Sequence, residues 1–180
     1  MTTAYGTYDS PVGRLLLSAS ERGLTGLYMD DHRPAPASVS AGAVEREDGP
    51  AHQAASAVIA EARRQLELYF AGSLTEFDLP LAVSEGSEFQ RRVWEELRTI
   101  PYGTTMSYGE LARRIGNPGA SRAVGLANGR NPISIIVPCH RVIGADGRLT
   151  GYGGGLPRKQ FLLALEARVA HINMFATAPA

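Results

Sequence analysis

The 180-residue chain contains only one cysteine, Cys139, so no disulfide can form within it. Its histidines are scattered along the sequence and do not combine with that cysteine into the spacing of a zinc site. They are His32, His52, His140 and His171. We therefore expect neither a metal nor any other cofactor.

Long apolar runs are also missing. No uninterrupted apolar stretch is long enough to cross a bilayer, and no basic segment followed by an apolar one lies near Met1. The composition, 44% hydrophobic and 20% charged, is that of a soluble globular protein. These features predict a cytoplasmic protein without a membrane partner, built as one ordinary domain or two small ones.

The chain as a whole has no excess of either charge, but each half does. Residues 78–86 have the pattern of a strand that runs into a linker, and the charge changes sign there. Residues 1–86 hold 6 arginines and 12 acidic residues, whereas residues 87–180 hold 12 cationic and 6 acidic residues. A basic half indicates an anionic partner, with nucleic acid as the first candidate. Mutual attraction between two domains of opposite charge is the alternative.

The first half has the pattern of a small α/β domain, which we place at residues 1–82. Strand-like segments at 14–19 and 24–29, separated by turn residues, predict a hairpin. Residues 31–50 lack periodicity and predict a mobile surface loop. Apolar residues at helical spacing then predict a helix over 54–70. No residue in this half is of a type expected in an active site, so we expect it to give structural support.

The second half, residues 87–172, predicts a mostly helical domain. Ser87 is followed by Gln90 at capping-box spacing, and Ser107 is followed in the same way by Glu110. Each pair indicates the start of a helix. The first of these helices places four large residues at packing positions, namely Phe89, Val93, Trp94 and Leu97.

A turn at residues 116–119 leads to a further helix at about residues 120–128. Two short helices around a glycine-containing turn indicate a helix-turn-helix. The packing face of the further helix is expected to consist of Ala120, Ala123, Val124 and Ala127. The opposite face is expected to carry Ser121, Arg122, Gly125 and Asn128. Small residues around one long cation suit close backbone approach to DNA and insertion of Arg122 better than base reading in the major groove. A helical hairpin with a solvated face is the alternative.

Cys139 comes directly after an apolar run, residues 133–137, which predicts a buried strand that holds the thiol on a rigid element. A nucleophilic thiol needs a base or a cation nearby, and His140 and Arg141 follow it at once. Asn131, in the turn before the run, can hydrogen-bond to backbone on either side. A buried cysteine without chemistry is the alternative.

The segment after the thiol is rich in glycine. Residues 151–155 predict either a plain surface loop or a pocket wall whose amides contact a flat ligand, since the Lys-Ser/Thr of a phosphate loop is missing. The last helix begins near Pro157, and its inward stripe is expected to be Phe161, Leu162, Leu165 and Val169. Glu166 lies beside that stripe, so it needs an imidazole or an arginine as its partner. A pair at the helix rim with Arg158 or Arg168 is the alternative.

Motifs of the second half together resemble the methylated-DNA--protein-cysteine methyltransferases, the O6-alkylguanine-DNA alkyltransferase family. They are Ser107-Tyr108-Gly109-Glu110-Leu111-Ala112, Ser121-Arg122-Ala123-Val124-Gly125, Asn131-Pro132, Pro138-Cys139-His140-Arg141-Val142-Ile143-Gly144 and Gly151-Tyr152-Gly153-Gly154. The match is dense over residues 87–170 and only architectural over residues 1–80. The resemblance implies an α+β fold, in which a small ribonuclease H-like domain precedes a winged-helix-like domain with the helix-turn-helix.

The resemblance also implies an activity. Cys139 would take an alkyl group from O6 of guanine, or less readily from O4 of thymine, in an irreversible transfer that each molecule performs once. The substrate would be double-stranded DNA, bound through its minor groove, with the damaged base extruded from the helix. The protein would act as a monomer, and cooperative assembly on DNA is left open.

The site residues implied by the resemblance fall into three groups. The chemical group consists of the acceptor Cys139, His140 as a base acting through water, Glu166 orienting the imidazole, and Asn131 holding the loop. The substrate group is Tyr108, Val142, Tyr152, Gly153 and Gly154. The DNA group is Arg122, which would enter the base stack, with Ser121, Ala123, Gly125 and Asn128. The chain departs from many relatives in having glycine rather than serine at position 153, and it lacks the cysteines of zinc-carrying members.

Two other classes of protein remain as alternatives. A cysteine hydrolase with a Cys-His-Glu site would need an oxyanion hole, and it would leave the helix-turn-helix and the basic half unexplained. A binding module similar to the alkyltransferase-like proteins would recognise alkylated bases without repairing them. Those proteins lack the acceptor cysteine, so the presence of Cys139 argues against this class.

Overall fold

A computed structural model describes residues 3–32 and 49–176 of the chain. Strands gather in the first half and helices in the second, which confirms the predicted α+β class. Most of the loop predicted at residues 31–50 lies outside the described residues. None of the described helices is both long and apolar enough to cross a membrane.

Within residues 3–32 and 49–86, the first half contains one antiparallel sheet of three strands, in the order β1 (Thr3–Ser10), β2 (Gly13–Ser20) and β3 (Gly23–Met29). The predicted hairpin corresponds to β2 and β3 and is confirmed. The strand β1 was not predicted. Its alternate positions carry small or polar residues rather than a regular apolar series, so the period-two signal is weak there.

A long helix, α1 (Pro50–Phe70), packs against this sheet and confirms the predicted helix with four more residues at its start. Proline fits there because the first turn of a helix needs no backbone donor. The inward face of α1 buries Ile59, Leu66 and Tyr69. The last of these lies at the end of the helix that is nearest the second half of the chain.

The strand predicted within residues 78–86 is wrong. Only Leu81 pairs there, through a single parallel bridge to Leu24. The amide of Leu24 donates to Pro80 O, and Ala82 donates to Leu24 O, both at 2.8 Å. Pro80 has no amide hydrogen, which limits a longer ladder.

The described part of the second half, up to residue 176, contains four α-helices and a short parallel pair of strands. The elements are α2 (Glu88–Leu97), β4 (Met106–Ser107), α3 (Tyr108–Arg114), α4 (Ser121–Gly129), β5 (Val142–Ile143) and α5 (Leu156–Ala176). The capping box of Ser87 and Gln90 is formed in both directions. At the start of α3 the Ser107 hydroxyl accepts from the Glu110 amide, which confirms a helix start at that position. On α5, Leu162, Leu165 and Val169 are buried as predicted, whereas Phe161 is 41% exposed.

Backbone hydrogen bonds join the two halves next to the cysteine. Leu27 on β3 donates to Pro132 O at 2.8 Å, and the amide of Ser134 donates back to Leu27 O at 3.0 Å. One continuous apolar core runs from the sheet through this junction into the helices. The segment that leads to Cys139 is therefore held by the first half as well as by the second.

Candidate active site

Cys139 lies in a short 3-10 turn, Cys139–Arg141, and only 3% of its surface is exposed. The preceding residues 133–137 do not form the predicted strand. Ile133 makes a single bridge to β3, and the chain then turns, with Ile135 in the left-handed region at φ 72°. Periodicity cannot distinguish a short buried turn from a short buried strand, because both are simply apolar.

Asn131 stabilises that turn. Its side-chain amide donates to Val137 O at 2.8 Å, and its carbonyl oxygen accepts from the Ile133 amide at 3.0 Å. A β-branched residue with positive φ costs free energy, so the turn needs such support. The structure therefore places Asn131 where it holds the loop that presents Cys139.

His140 and Glu166 form a completely buried pair. Nε2 of His140 lies 2.8 Å from Oε1 of Glu166. A carboxylate can only accept, so Nε2 carries the hydrogen and Nδ1 is the unprotonated nitrogen. Nδ1 is buried and makes no hydrogen bond to any described residue. It is therefore a base whose lone pair is available.

Arg141 is the second partner of Glu166, as the sequence required of a carboxylate in that position. Its Nε donates to Oε2 at 2.8 Å and its Nη2 donates to Oε1 at 3.0 Å. Nη1 donates to Ile100 O at 2.6 Å. The alternative pairing of Glu166 with Arg158 or Arg168 is wrong, because the described ion pairs of Glu166 are with His140 and Arg141. Arg158 instead bonds to Val12 O, Gly154 O and the carboxylate of Asp30.

Two further donors reach the same carboxylate from elements that the sequence did not connect to it. The backbone amide of Gly103 donates to Oε2 at 3.1 Å, and the hydroxyl of Tyr69 donates to Oε1 at 2.8 Å. Tyr69 belongs to the first half of the chain. The expectation that this half gives only structural support is thus incomplete, and no local signal around Tyr69 could have shown it.

Burial and hydrogen bonding set the ionisation of the three groups. Burial raises the pKa of Glu166, but the donors from His140 and Arg141 outweigh it and bring that pKa to about 2. Burial lowers the pKa of His140 more than Glu166 raises it. Burial also raises the pKa of Cys139, although the Asn131 side chain and Lys159 oppose this. The resting site therefore combines a neutral thiol, a neutral imidazole and a carboxylate.

Lys159, on the first turn of α5, was not identified from the sequence as a site residue. It is completely buried, and its Nζ donates to Val142 O at 2.6 Å and to Thr150 O at 2.8 Å. Burial lowers its pKa to about 8, and the nearby thiol opposes that change. A lysine in a first helical turn usually faces solvent, so nothing in the sequence distinguished this one.

Two of the residues assigned to substrate binding, Tyr108 and Tyr152, lie near the thiol. Val142 is completely buried in β5. The hydroxyl of Tyr108 donates to Thr150 O at 2.9 Å, whereas that of Tyr152 is buried without a described partner. After burial, the charge that Cys139 can carry is among the causes that raise the pKa of both tyrosines, so the two phenols lie near the sulfur. A cavity of about 400 Å³ lies beside the glycine loop, and Cys139 is not among its lining residues.

The two loop glycines are packed against β3 and the residues that follow it. A Cβ atom at Gly153 would overlap the imidazole ring of His32, and one at Gly154 would overlap Sδ of Met29. The space that a serine side chain would need at position 153 is therefore filled by His32. Glycine at position 153 therefore fits this packing, whereas a serine side chain would overlap His32.

We expect Gly153→Ser to lower the free energy of unfolding by about 1–3 kcal/mol, because the new side chain displaces His32 from a packed position. In a His32→Ala background the same substitution should cost much less. Chemical denaturation of the two single variants and the double variant measures this interaction. Equal costs of Gly153→Ser in both backgrounds would contradict the proposed overlap.

The helix α4 only partly matches its predicted faces. Arg122 is exposed as expected, and Leu126 is 67% exposed. Ala123 is also exposed, which contradicts its place on the packing face and is compatible with its place in the DNA group. Val124 and Ala127 are buried as predicted, while Ala120, Ser121 and Gly125 are half-buried. The assignment of Asn128 to the exposed face is wrong. It is 1% exposed, and its amide donates to Cys139 O at 3.2 Å, whereas its carbonyl oxygen is buried without a described partner.

No group of three or more histidine, cysteine, aspartate or glutamate side chains that could hold a metal ion occurs within residues 3–32 and 49–176.

Comparisons with known proteins agree with this arrangement. The family model for the 6-O-methylguanine DNA methyltransferase ribonuclease-like domain matches residues 3–83, and the model for the DNA-binding domain of the same proteins matches residues 88–168. A methylated-DNA--protein-cysteine methyltransferase of Mycolicibacterium paratuberculosis is 57% identical over an alignment of 172 residues, and the match covers 91% of this chain and 92% of the relative. One from Methanosarcina acetivorans is 53% identical and covers 90% and 97%.

Solved structures give the same result. The structure of Mycobacterium tuberculosis OGT in complex with DNA superposes with a TM-score of 0.78 at 51% identity, over 92% of this chain and 94% of that one. The first half is thus a ribonuclease-like domain and the second a helical DNA-binding domain. With both domains matched and identity above one half, the chain belongs to the 6-O-methylguanine DNA methyltransferase family.

Proposed function

We propose that this protein repairs alkylated DNA by moving the alkyl group from O6 of guanine, and less readily from O4 of thymine, to its own Cys139. The observation that carries the proposal is the buried arrangement of Cys139, His140 and Glu166 directly behind α4, in a chain of this family. A relative of similar fold was solved on DNA. The basic second half suits the same partner.

The first step concerns the thiol proton. His140 has its hydrogen on Nε2, so Nδ1 takes the proton that leaves Sγ, and Glu166 stabilises the resulting imidazolium. No hydrogen bond joins His140 to the thiol among the described residues, so one water relays the proton. Because both groups are neutral at rest, the thiolate forms only as the reaction proceeds.

In the second step, the thiolate attacks the alkyl carbon in line with its bond to O6. The new S–C bond forms as the C–O6 bond breaks, and its electron pair leaves with the purine, which takes up one proton and becomes guanine. The product is a thioether, which offers no leaving group for hydrolysis and is not reduced by cellular thiols. Each molecule therefore acts once.

The alkylated base must leave the double helix before this attack, because a protein thiol cannot approach it in line within stacked DNA. Cys139 is buried, so the base also has to enter the protein. The exposed face of α4 suits the minor groove, since Arg122 is its long cation, Ala123 beside it is small, and Leu126 adds one exposed apolar side chain. Tyr108, Tyr152 and the glycine loop then receive the base.

The test of this function is the mass of the protein after reaction. Intact, reduced protein is mixed with a duplex oligonucleotide that carries one O6-methylguanine, and the peptide containing Cys139 is analysed by mass spectrometry. We expect one methyl group on Cys139 per molecule and an equal amount of restored guanine. Cys139→Ser should still bind the duplex but transfer nothing. Turnover beyond one equivalent, or a methyl group on another residue, would count against the proposal.

A further inference from the structure

A tyrosine from the ribonuclease-like domain reaches the carboxylate that supports His140. The hydroxyl of Tyr69, in the last turn of α1, donates to Oε1 of Glu166 at 2.8 Å, across 97 positions of sequence. Both side chains are completely buried. The end of α1 thus brings the first half of the chain into direct contact with Glu166, one of the residues assigned to the chemistry in the second half.

The position of the Tyr69 ring is closely constrained. Its centroid lies 5.3 Å from that of Phe70, 5.3 Å from that of Phe77 and 6.0 Å from that of Tyr102. Burial, followed by the charge of Glu166, raises the pKa of Tyr69 well above its usual value. The phenol therefore keeps its hydrogen and acts as a donor to Oε1.

Three donors share Oε1 of Glu166, namely Tyr69 Oη at 2.8 Å, His140 Nε2 at 2.8 Å and Arg141 Nη2 at 3.0 Å. Donors that share one oxygen compete for its electron density, so each donor weakens the hydrogen bonds that the other donors make to that oxygen. The Tyr69 hydroxyl therefore stabilises the carboxylate and reduces its attraction for the imidazole hydrogen.

We infer that Tyr69 is a positioning residue for proton transfer, which orients Oε1 of Glu166 toward His140 and limits how strongly His140 holds a second proton. The part of this inference that concerns alkyl transfer rests on the proposed function. The part that concerns the imidazole does not, because it can be measured on unreacted protein.

Other ionisable groups also face His140 and Glu166, so a test must keep the charges of these groups constant. From α1 comes Tyr69, from the loop after α2 comes Tyr102, from the 3-10 turn come Cys139 and Arg141, from the glycine loop comes Tyr152, and from α5 comes Lys159. Arg141 and Lys159 lower the pKa of His140, whereas Glu166 raises it. Replacing Tyr69 by phenylalanine changes none of these charges.

The matched control is Tyr102→Phe. The Tyr102 hydroxyl is also buried near Glu166, but it makes no hydrogen bond to a described residue. Its ring packs against Tyr69 and lies under the Arg141 guanidinium, and phenylalanine keeps both contacts. The two variants thus remove the same atom from neighbouring rings, and only one of them removes a donor to Oε1.

The unmodified protein and both variants are compared by NMR titration of the His140 ring and by the rate of methyl transfer from duplex O6-methylguanine as a function of pH. In Tyr69→Phe we expect the His140 titration and the acid limb of the rate to move to higher pH. On the acid limb the rate should fall roughly threefold or more, and on the plateau it should stay within about twofold. Tyr102→Phe should leave both profiles in place.

A fluorinated tyrosine introduced at position 69 provides a test that keeps the hydroxyl and the packing. Fluorine makes the phenol a stronger donor, so the His140 titration should move to lower pH, the opposite direction from Tyr69→Phe. Unchanged titration in both variants, or equal changes in Tyr69→Phe and Tyr102→Phe, would overturn the inference. Absence of methyl transfer by unmodified protein would instead overturn the proposed function, and the titration would still decide the role of Tyr69.

Discussion

Glu166→Ala is expected to lower the free energy of unfolding by about 3–5 kcal/mol and to reduce methyl transfer at least a hundredfold, an estimate of roughly 3 kcal/mol in the barrier. The substitution leaves the Arg141 guanidinium buried without its carboxylate, and it leaves the Tyr69 hydroxyl without an acceptor. It also removes the group that fixes the tautomer of His140. Chemical denaturation and single-turnover kinetics measure the two effects separately.

Glu166→Gln is the matched control, because it keeps the shape and removes the charge. The amide nitrogen of the introduced glutamine then faces a hydrogen-bond donor that the carboxylate oxygen had accepted. We therefore expect a loss of stability smaller than that of Glu166→Ala. The pH dependence of the free energy of unfolding separates the loss of the carboxylate charge from the loss of the side chain's shape. The pKa of Glu166 is about 2 in the folded protein against an ordinary value of 4.5, so its contribution is fully present above 4.5 and is lost as pH falls toward 2. The stability of Glu166→Gln should lack this acid-dependent part. If the variant and the unmodified protein lost stability identically as pH falls, the assigned role of the Glu166 charge would be contradicted.

Arg122→Ala is expected to slow repair of duplex O6-methylguanine by roughly a hundredfold, while reaction with free O6-methylguanine stays within about twofold. Arg122 is exposed on α4 and makes no hydrogen bond or ion pair to a described residue, so its loss should not disturb the site. The difference arises because only the duplex requires the base to be extruded. Single-turnover rates on the two substrates measure it directly.

Arg130→Ala is the control for the loss of one positive charge. Arg130 is also exposed, at the other end of α4, so its removal weakens general attraction to phosphate by a similar amount. We expect it to weaken binding without a large effect on the rate at saturating DNA. If Arg122→Ala slows both substrates equally, Arg122 has no part in extrusion.

The sequence predicts those parts of the structure that depend on neighbouring residues. Ser87 with Gln90 marks the start of α2, because a capping box is a local pattern of hydrogen bonds. His140 follows Cys139 directly, and Glu166 lies beside an apolar stripe, so both could be found by inspection. The requirement that a buried carboxylate be paired then led to His140 and an arginine, although not to the identity of Arg141 as that arginine.

What the sequence does not predict depends on contacts between distant segments. Tyr69 meets Glu166 only because α1 ends against the loop after α2, and a buried tyrosine in a helix otherwise indicates ordinary core packing. Lys159 is buried because the carbonyl of Val142 on β5, two loop carbonyls and the ring of Tyr108 surround it, which no spacing in the chain reveals. The prediction placed Asn128 on the exposed face because it is polar. A polar side chain can be buried when a distant carbonyl accepts its hydrogen bond, as Cys139 O does here, and local sequence does not show that contact.

The bond from Asn128 to Cys139 O has a mechanical consequence. The same last turn of α4 accepts the Trp94 indole hydrogen at Ala127 O, at 2.8 Å, so this helix is bound on one side to α2 and on the other to the backbone that carries the sulfur. The last turn of α4 is thus coupled both to α2 and to the backbone of Cys139. A force that DNA exerts on α4 is therefore transmitted to the segment that carries the sulfur.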